Sequence, residues 1–167
     1  MMDKKALEYE ILSILEENST RTPQEIALMT GSEEQTVKDI IAELEEQKTI
    51  VKYVAVVNRE SLEKNSKVEA LIEVKITPQR DYGYDDMAKK IYRYEEVKAV
   101  YLMTGSYDLA VRVESDNMKS ISKFVFEKLA VIDGVSSTVT LFIMRKYKEN
   151  GVVLVPEEQE DRLVVTA

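Results

Sequence analysis

The spacing of apolar residues changes period along this chain, and each change marks a new part. Ala6, Leu7, Ile11, Ile14 and Leu15 recur at helical spacing, predicting a first helix over residues 4 to 17 with one apolar stripe. Thr22-Pro23-Gln24-Glu25-Ile26-Ala27-Leu28-Met29 predicts a short helix with proline at its first helical position, and Thr30-Gly31-Ser32 predicts a turn. Val37, Ile40, Ile41 and Leu44 then share one face of a third helix. Two helices across so short a turn form a helix-turn-helix, the shape that sets a second helix into a DNA major groove; the first helix covers both. Ile50 to Val57 is β-rich and suits a strand leaving the third helix as wing and connector.

After a polar stretch the pattern alternates strand and helix. Val68, Ala70, Ile72, Val74 and Ile76 alternate with their neighbours, predicting a strand, and Met87, Ala88, Ile91 and Tyr94 share one face of a helix over Asp85 to Tyr94. Val97 to Thr104 and Tyr107 to Glu114 read as two strands across Gly105-Ser106, a dipeptide suited to a tight hairpin. Asp116 is placed to cap a helix in which Met118, Ile121, Phe124, Val125, Leu129 and Ile132 face inward, stopped by Asp133-Gly134; Val135 to Tyr147 is the last strand.

The order β-α-β-β-α-β predicts a ferredoxin-like domain with a four-stranded antiparallel sheet and both helices on one face. Val97 to Met103 is apolar at almost every position, and Val139, Leu141 and Ile143 lie opposite Phe142 and Met144. Such strands are expected to be covered on both faces, the second by another copy of the sheet. The boundaries read as 1–58 for the helix-turn-helix unit, 59–67 for a linker, 68–148 for the sheet domain and 149–167 for a tail. In the tail, Gly151 breaks the strand, Val152 to Val155 can pair again, and Leu163-Val164-Val165 is an apolar end.

Charge complicates the first unit. From Ser32 to Gln47 the one cation is Lys38, against Glu33, Glu34, Asp39, Glu43, Glu45 and Glu46, and phosphate repels such a surface. The whole chain carries a net charge of −8. Zero cysteine removes thiolate nucleophiles and sulfur-ligated zinc, and zero histidine removes the commonest acid-base group, so no catalytic residue, metal ligand or cofactor is expected. The absence of any run of about 18 apolar residues, and a start that leads straight into an amphipathic helix, predict a cytoplasmic protein without a membrane span.

Six short pieces in order carry a resemblance: Glu25-Ile26-Ala27; Thr36-Val37 with Leu44-Glu45-Glu46; Ile50-Val51-Lys52-Tyr53; Thr104-Gly105-Ser106-Tyr107-Asp108; Asp133-Gly134-Val135; and Thr138-Val139-Thr140. Over residues 4 to 147 the chain resembles the leucine-responsive regulator / asparagine-regulator (Lrp/AsnC) family of transcription factors. The resemblance implies an α+β fold, a winged helix-turn-helix joined by a strand to a ferredoxin-like βαββαβ domain that binds effector and oligomerises. It also implies operator DNA as partner, a homodimer assembling into tetramers or octamers, and a small effector, usually an amino acid, bound between dimers. Family members usually carry two or three arginines early in the recognition helix and a glycine before the wing; here Lys38, Asp39 and Ile40, and Gln47-Lys48, stand there.

The expected DNA contacts are therefore few. Gln35 suits adenine, Thr36 a phosphate or thymine methyl, and Lys38 guanine or phosphate, while Thr22, Gln24, Lys48 and Lys52 suit the backbone. The expected effector site combines Gly105, Ser106, Tyr107 and Asp108 with Ser137, Thr138 and Thr140. Backbone N–H groups near Gly105 would take a carboxylate and Asp108 an ammonium. The plainer alternatives are a hairpin turn with ordinary strand threonines, and a solvated acidic helix that packs against protein instead of DNA. Siroheme decarboxylases resemble the same architecture but depend on histidine, which this chain lacks. The tyrosines Tyr82, Tyr84, Tyr92 and Tyr94 read as interface and core, and Asp85-Asp86 as a helix start.

Overall fold

A computed structural model describes residues 3–62, 67–77 and 83–155, apart from the Glu60 side chain. Tyr82 and everything from Pro156 onward lie outside the described residues, as does part of the expected linker. Two compact units meet at Val56/Val57.

The first unit holds three helices: α1 (Lys4–Glu17), α2 (Pro23–Thr30) and α3 (Glu34–Glu46). Their apolar stripes meet in one core of Leu7, Ile11, Ile14, Leu15, Ile26, Ala27, Val37, Ile40 and Leu44, with Ile41 and Ile50 at its margin. Ala6, expected on the stripe, is exposed. Helix α2 begins with a reciprocal capping box: Thr22 Oγ1 accepts from the Glu25 amide at 3.2 Å, and the Glu25 carboxylate accepts from the Thr22 amide at 2.8 Å. Gly31 ends it in the left-handed conformation, φ 65°.

Past α3, Lys48 takes the same left-handed turn at φ 60°, strained for a side chain with a Cβ, while the amides of Thr49 and Ile50 return to the Leu44 carbonyl. Residues 51 to 57 form no strand, which corrects the expected wing and connector strand. A strand needs a hydrogen-bonded neighbour, and among the described residues this segment has none. Val51, Val54 and Val57 are consequently exposed.

Around residue 59 the chain makes a single 3-10 turn, Arg59–Ser61. The second unit then gives β1 (Val68–Ile76), α4 (Tyr84–Ile91), β2 (Val97–Leu102), β3 (Leu109–Ser115), α5 (Met118–Phe124), β4 (Val135–Phe142) and a small hairpin, β5 (Lys148–Glu149) with β6 (Val152–Val153). The main sheet is antiparallel in the order β2-β3-β1-β4. Ala70, Ile72, Val74 and Ile76 of β1 and Leu109, Val111 and Val113 of β3 face a core shared with Met87, Ile91, Ile121, Phe124, Val125 and Leu129.

Several local expectations change. Asn117 rather than Asp116 caps α5, its side chain accepting from the Ser120 amide at 2.8 Å, and α5 widens into a π-helical turn over Val125–Leu129. Met118 is exposed. Gly83 occupies the N-cap of α4 without a side-chain bond, leaving Asp85 and Asp86 in the first turn, where they complement the helix dipole. Strand β4 stops at Phe142, and residues 143 to 147 lead without strand structure to the β5–β6 hairpin. Asn150 and Gly151, at φ 46° and 81°, make the turn of that hairpin. Tyr94 packs edge-on against Phe124 at 5.5 Å, whereas Tyr84 and Tyr92 are exposed.

The other face of the sheet presents Leu71 and Glu73 of β1, Ala110 and Arg112 of β3, Tyr101 of β2, and Val139 and Leu141 of β4, by alternation and register. Tyr101, Val139 and Leu141 are about half exposed, so the described chain leaves this face partly uncovered.

Two substitutions test the local accounting. Thr22→Ala removes one half of the capping box and should lower unfolding stability by about 1 kcal/mol. Lys48→Gly relieves the left-handed strain and should raise it by roughly 0.5–1 kcal/mol. Urea denaturation of both variants checks the signs, and a destabilised Lys48→Gly would contradict the strain.

Candidate functional site

The exposed face of α3 carries Gln35, Thr36 and Lys38 close together, as a groove-reading helix requires. Two of the three are engaged by acids of the same helix. Gln35 Nε2 donates to Asp39 Oδ1 at 2.8 Å, and Lys38 Nζ pairs with Glu34 at 2.6 Å, both at i,i+4 spacing. Exposed pairs of this kind add little stability, but they hold a carboxylate beside each group that would meet DNA.

Other partners reach the acidic end of the helix from outside it. Lys4 Nζ meets Glu43 at 2.7 Å, and the Tyr53 hydroxyl donates to Glu45 at 2.9 Å. Burial, then the Glu45 carboxylate, raise the Tyr53 hydroxyl above its ordinary pKa. Thr22 and Gln24 sit at the start of α2, where Thr22 is already used as a cap; Lys48 and Lys52 are exposed after α3.

In the second unit the β2–β3 connection is longer than the expected two-residue turn. Leu102 pairs with Leu109, so residues 103 to 108 form the loop, closed at its base by the Met103 amide on the Asp108 carbonyl at 2.8 Å. Gly105 lies at φ 137°, a region glycine tolerates, and a Cβ there would meet nothing within 4 Å. Thr104, Gly105 and Ser106 are exposed and Tyr107 is half-buried. Among the described residues, the backbone N–H groups of 104 to 107 make no hydrogen bond.

Asp108 anchors the loop to the end of β1. Its Oδ2 accepts from the Ile76 amide at 2.8 Å, its Oδ1 lies 3.3 Å from Lys75 Nζ, and its own amide donates to the Val74 carbonyl at 3.0 Å. The Ile76 N–H first, and Lys75 after it, hold the Asp108 carboxyl below the usual carboxylate range against the opposing effect of burial.

Strand β1 therefore stands between this loop and β4. Ser137 is opposite Lys75, Thr138 opposite Val74 and Thr140 opposite Ile72. Thr138 and Thr140 share the half-buried, helix-facing side, whereas Ser137 lies on the other face, so the three hydroxyls do not converge on one point. The sequence reading missed Lys75, whose pairing with Asp108 spans 33 positions and leaves no local signal. It also missed Ser136, whose hydroxyl donates to the Lys75 carbonyl at 3.1 Å. Glu34 and Asp39 as partners of Lys38 and Gln35 were legible from spacing alone. Among the described residues no group of three or more His, Cys, Asp or Glu is placed to hold a metal, and no helix is long and apolar enough to cross a membrane.

Because the folded-state pKa of Asp108 is depressed, its contribution to stability is present above the unfolded value and is lost as pH falls through the folded one. Asp108→Asn keeps an acceptor for the Ile76 amide but cannot titrate. The difference in Tm between native chain and variant should shrink on going from about pH 5 to about pH 2. A constant difference would show that the charge of Asp108 does not hold the loop.

Comparison with known proteins follows the same division. Residues 69–153 match the family model described as the Lrp/AsnC ligand binding domain, and residues 5–51 match the winged helix-turn-helix DNA-binding model. The HTH-type transcriptional regulator YugG of Bacillus subtilis is 43% identical over 159 residues, 95% of this chain and 96% of that protein. The HTH-type transcriptional regulator FL11 of Pyrococcus furiosus is 33% identical over 148 residues, 89% of this chain and 91% of that protein. Among solved structures, the transcriptional regulator NMB0573 of Neisseria meningitidis in complex with L-Met has a similar fold, with TM-score 0.69 and 24% identity over 89% of this chain and 94% of that one.

Proposed function

The chain belongs to the Lrp/AsnC family of HTH-type transcriptional regulators, and from that premise we propose that it takes an amino acid at the 103–108 loop and holds operator DNA through several weakly binding heads. The observation that carries the effector reading is the loop itself. It exposes unpaired backbone N–H groups around Gly105, a setting that suits a carboxylate, beside the Lys75 ammonium and the Asp108 carboxylate. The Neisseria regulator solved with L-Met supports the ligand class. Of the strand hydroxyls, Ser137 lies opposite Lys75 on the free sheet face and can join this set, whereas Thr138 and Thr140 face the helices.

A second copy covers the free sheet face in our reading. Tyr101, Val139 and Leu141 supply the apolar area, and homodimers then join into tetramers or octamers. Each head meets DNA with Gln35, Thr36 and Lys38 in the groove, and with Thr22, Gln24, Lys48 and Lys52 on the backbone. Three lysines per head neutralise few phosphates, so affinity comes from several heads engaging one DNA. The function we assign is regulation, not catalysis, in a cytoplasmic protein. A rival reading, an acidic head that docks protein, draws on the engaged state of Lys38 and Gln35.

Two experiments separate these readings. Operator affinity measured against salt should give a slope of about −3 per head. Glu34→Gln with Asp39→Asn, which frees Lys38 and Gln35, should raise affinity about fivefold at low salt; an unchanged affinity favours the protein-docking head. For the effector, a thermal-shift screen of the common amino acids should give a hit that Asp108→Asn abolishes without changing the assembly size seen by light scattering. A hit that survives in the variant moves the site elsewhere.

A further inference from the structure

Apart from the loop and the third helix, the second unit has a cavity that neither reading uses. Its volume is about 190 Å³, somewhat larger than the roughly 150 Å³ space that admits a benzene-sized molecule. Among the described residues Arg59, Lys67, Arg145 and Lys146 line it, against the carboxylate of Glu69. In a chain of net charge −8, four cations gathered around one concavity run against the overall balance.

The walls are fixed by specific bonds. Asn58 Nδ2 donates to the Leu154 carbonyl at 2.7 Å, tying the segment that enters the unit to the one that leaves the β5–β6 hairpin. On the opposite side the Ile143 amide donates to the Glu69 carbonyl at 2.9 Å, carrying residues 143 to 146 along the start of β1. Lys146 is held by Glu69 at 2.6 Å and by Glu149 at 3.5 Å. Lys67, by contrast, lies 3.7 and 3.8 Å from Glu114 and Asp116, beyond good hydrogen-bond length, and Arg59 is exposed on its 3-10 turn. Cations brought together around a concavity repel one another, and a bound anion removes that repulsion while gaining charge-assisted hydrogen bonds.

We propose that this cavity binds a small multivalent oxyanion, a di- or tricarboxylate or a phosphate compound, as a second ligand site separate from the 103–108 loop. The apolar part of the lining, with Ile143 and Leu154, sets a short carbon frame between charged ends. An amino acid, carrying its own ammonium, fits this basic lining less well than it fits the loop.

Isothermal titration calorimetry of the full chain with citrate and with pyrophosphate, each at matched ionic strength against sodium chloride, tests the assignment. Saturable binding of either is expected; citrate alone points to carboxylates, pyrophosphate alone to phosphates. Arg59→Gln with Lys67→Gln should weaken the bound anion by about tenfold with the unliganded Tm unchanged, and Lys67→Gln alone, should the pair misfold, by about threefold. Asp108→Asn should bind as the native chain does. The site is wrong if neither anion binds above the chloride control, if the cavity variants bind like the native chain, or if Asp108→Asn is the variant that loses the anion. The cavity variants leave the amino-acid thermal shift as the independent measure of the loop, so the two sites fail separately.

Discussion

Strand β1 is paired along both edges, with β3 on one side and β4 on the other, and the arrangement of the second unit depends on that central position. Its even-numbered residues, Ala70 to Ile76, are almost fully buried under the helices, which fixes the register of everything beside it: a slip of one residue would turn Leu71 and Glu73 into the core. Where the ladder ends, side chains take over its loose groups. At one end the Ile76 amide finds the Asp108 carboxylate and the Lys75 carbonyl finds the Ser136 hydroxyl, which plants the 103–108 loop. At the other, the Glu69 carbonyl accepts Ile143 and its carboxylate grips Lys146, which builds the wall of the basic cavity. The two proposed ligand sites are thus the two ends of one strand, about 25 Å apart at roughly 3.3 Å per residue.

In the first unit the governing balance is electrostatic. Ile11, Ile26 and Val37 are wholly buried, so apolar burial is the main force that holds the three helices together. Those charges are free to set what the surface meets. Glu34 and Asp39 stand one helical turn from the groups they engage, so a phosphate approaching Lys38 must compete with a carboxylate already there. Each pair is weak in water, and weak pairs are easily exchanged. On the proposed reading, these neighbours on its own helix are what keep the affinity of the single head low.

Much of this was legible in the sequence, and the failures have a common cause. Helix faces in α1 to α3, the capping proline, and the alternation of β1 follow from local periodicity, which the core then obeys. The βαββαβ order and the antiparallel sheet followed from the same signals. The wing strand failed because Ile50 to Val57 has strand composition but, among the described residues, no neighbour to pair with: composition reports propensity, while pairing is a tertiary fact. The tight hairpin at Gly105-Ser106 failed because strand pairing ends at Leu102 and Leu109, where the Asp108 side chain bonds across to β1. Met118 failed because it is the first residue of α5, at the end of the helix, where a position on the apolar stripe can still reach solvent. Asp108 was singled out as a partner for an ammonium group, yet the partners it has within the fold, Ile76 and Lys75, lie more than thirty positions away.

A strand hydrogen-bonded on both edges and packed against helices is stiff, and this limits how a ligand at either end can act. Binding at the loop cannot slide β1 without breaking both ladders and exposing its buried face, a far larger cost than a small effector can offset. The parts free to respond are those at the periphery: the loop, the exposed segment from Val51 to Val57, and the half-covered sheet face with Tyr101, Val139 and Leu141. On the proposed reading these are also the parts that meet a second copy. An effector that prefers one arrangement of copies over another then changes how many weak heads reach the same DNA, with no change inside any of them. On that reading, low affinity of the single head and stiffness of the sheet domain belong together: the first would make occupancy depend on assembly, and the second would leave assembly as the variable a ligand can move.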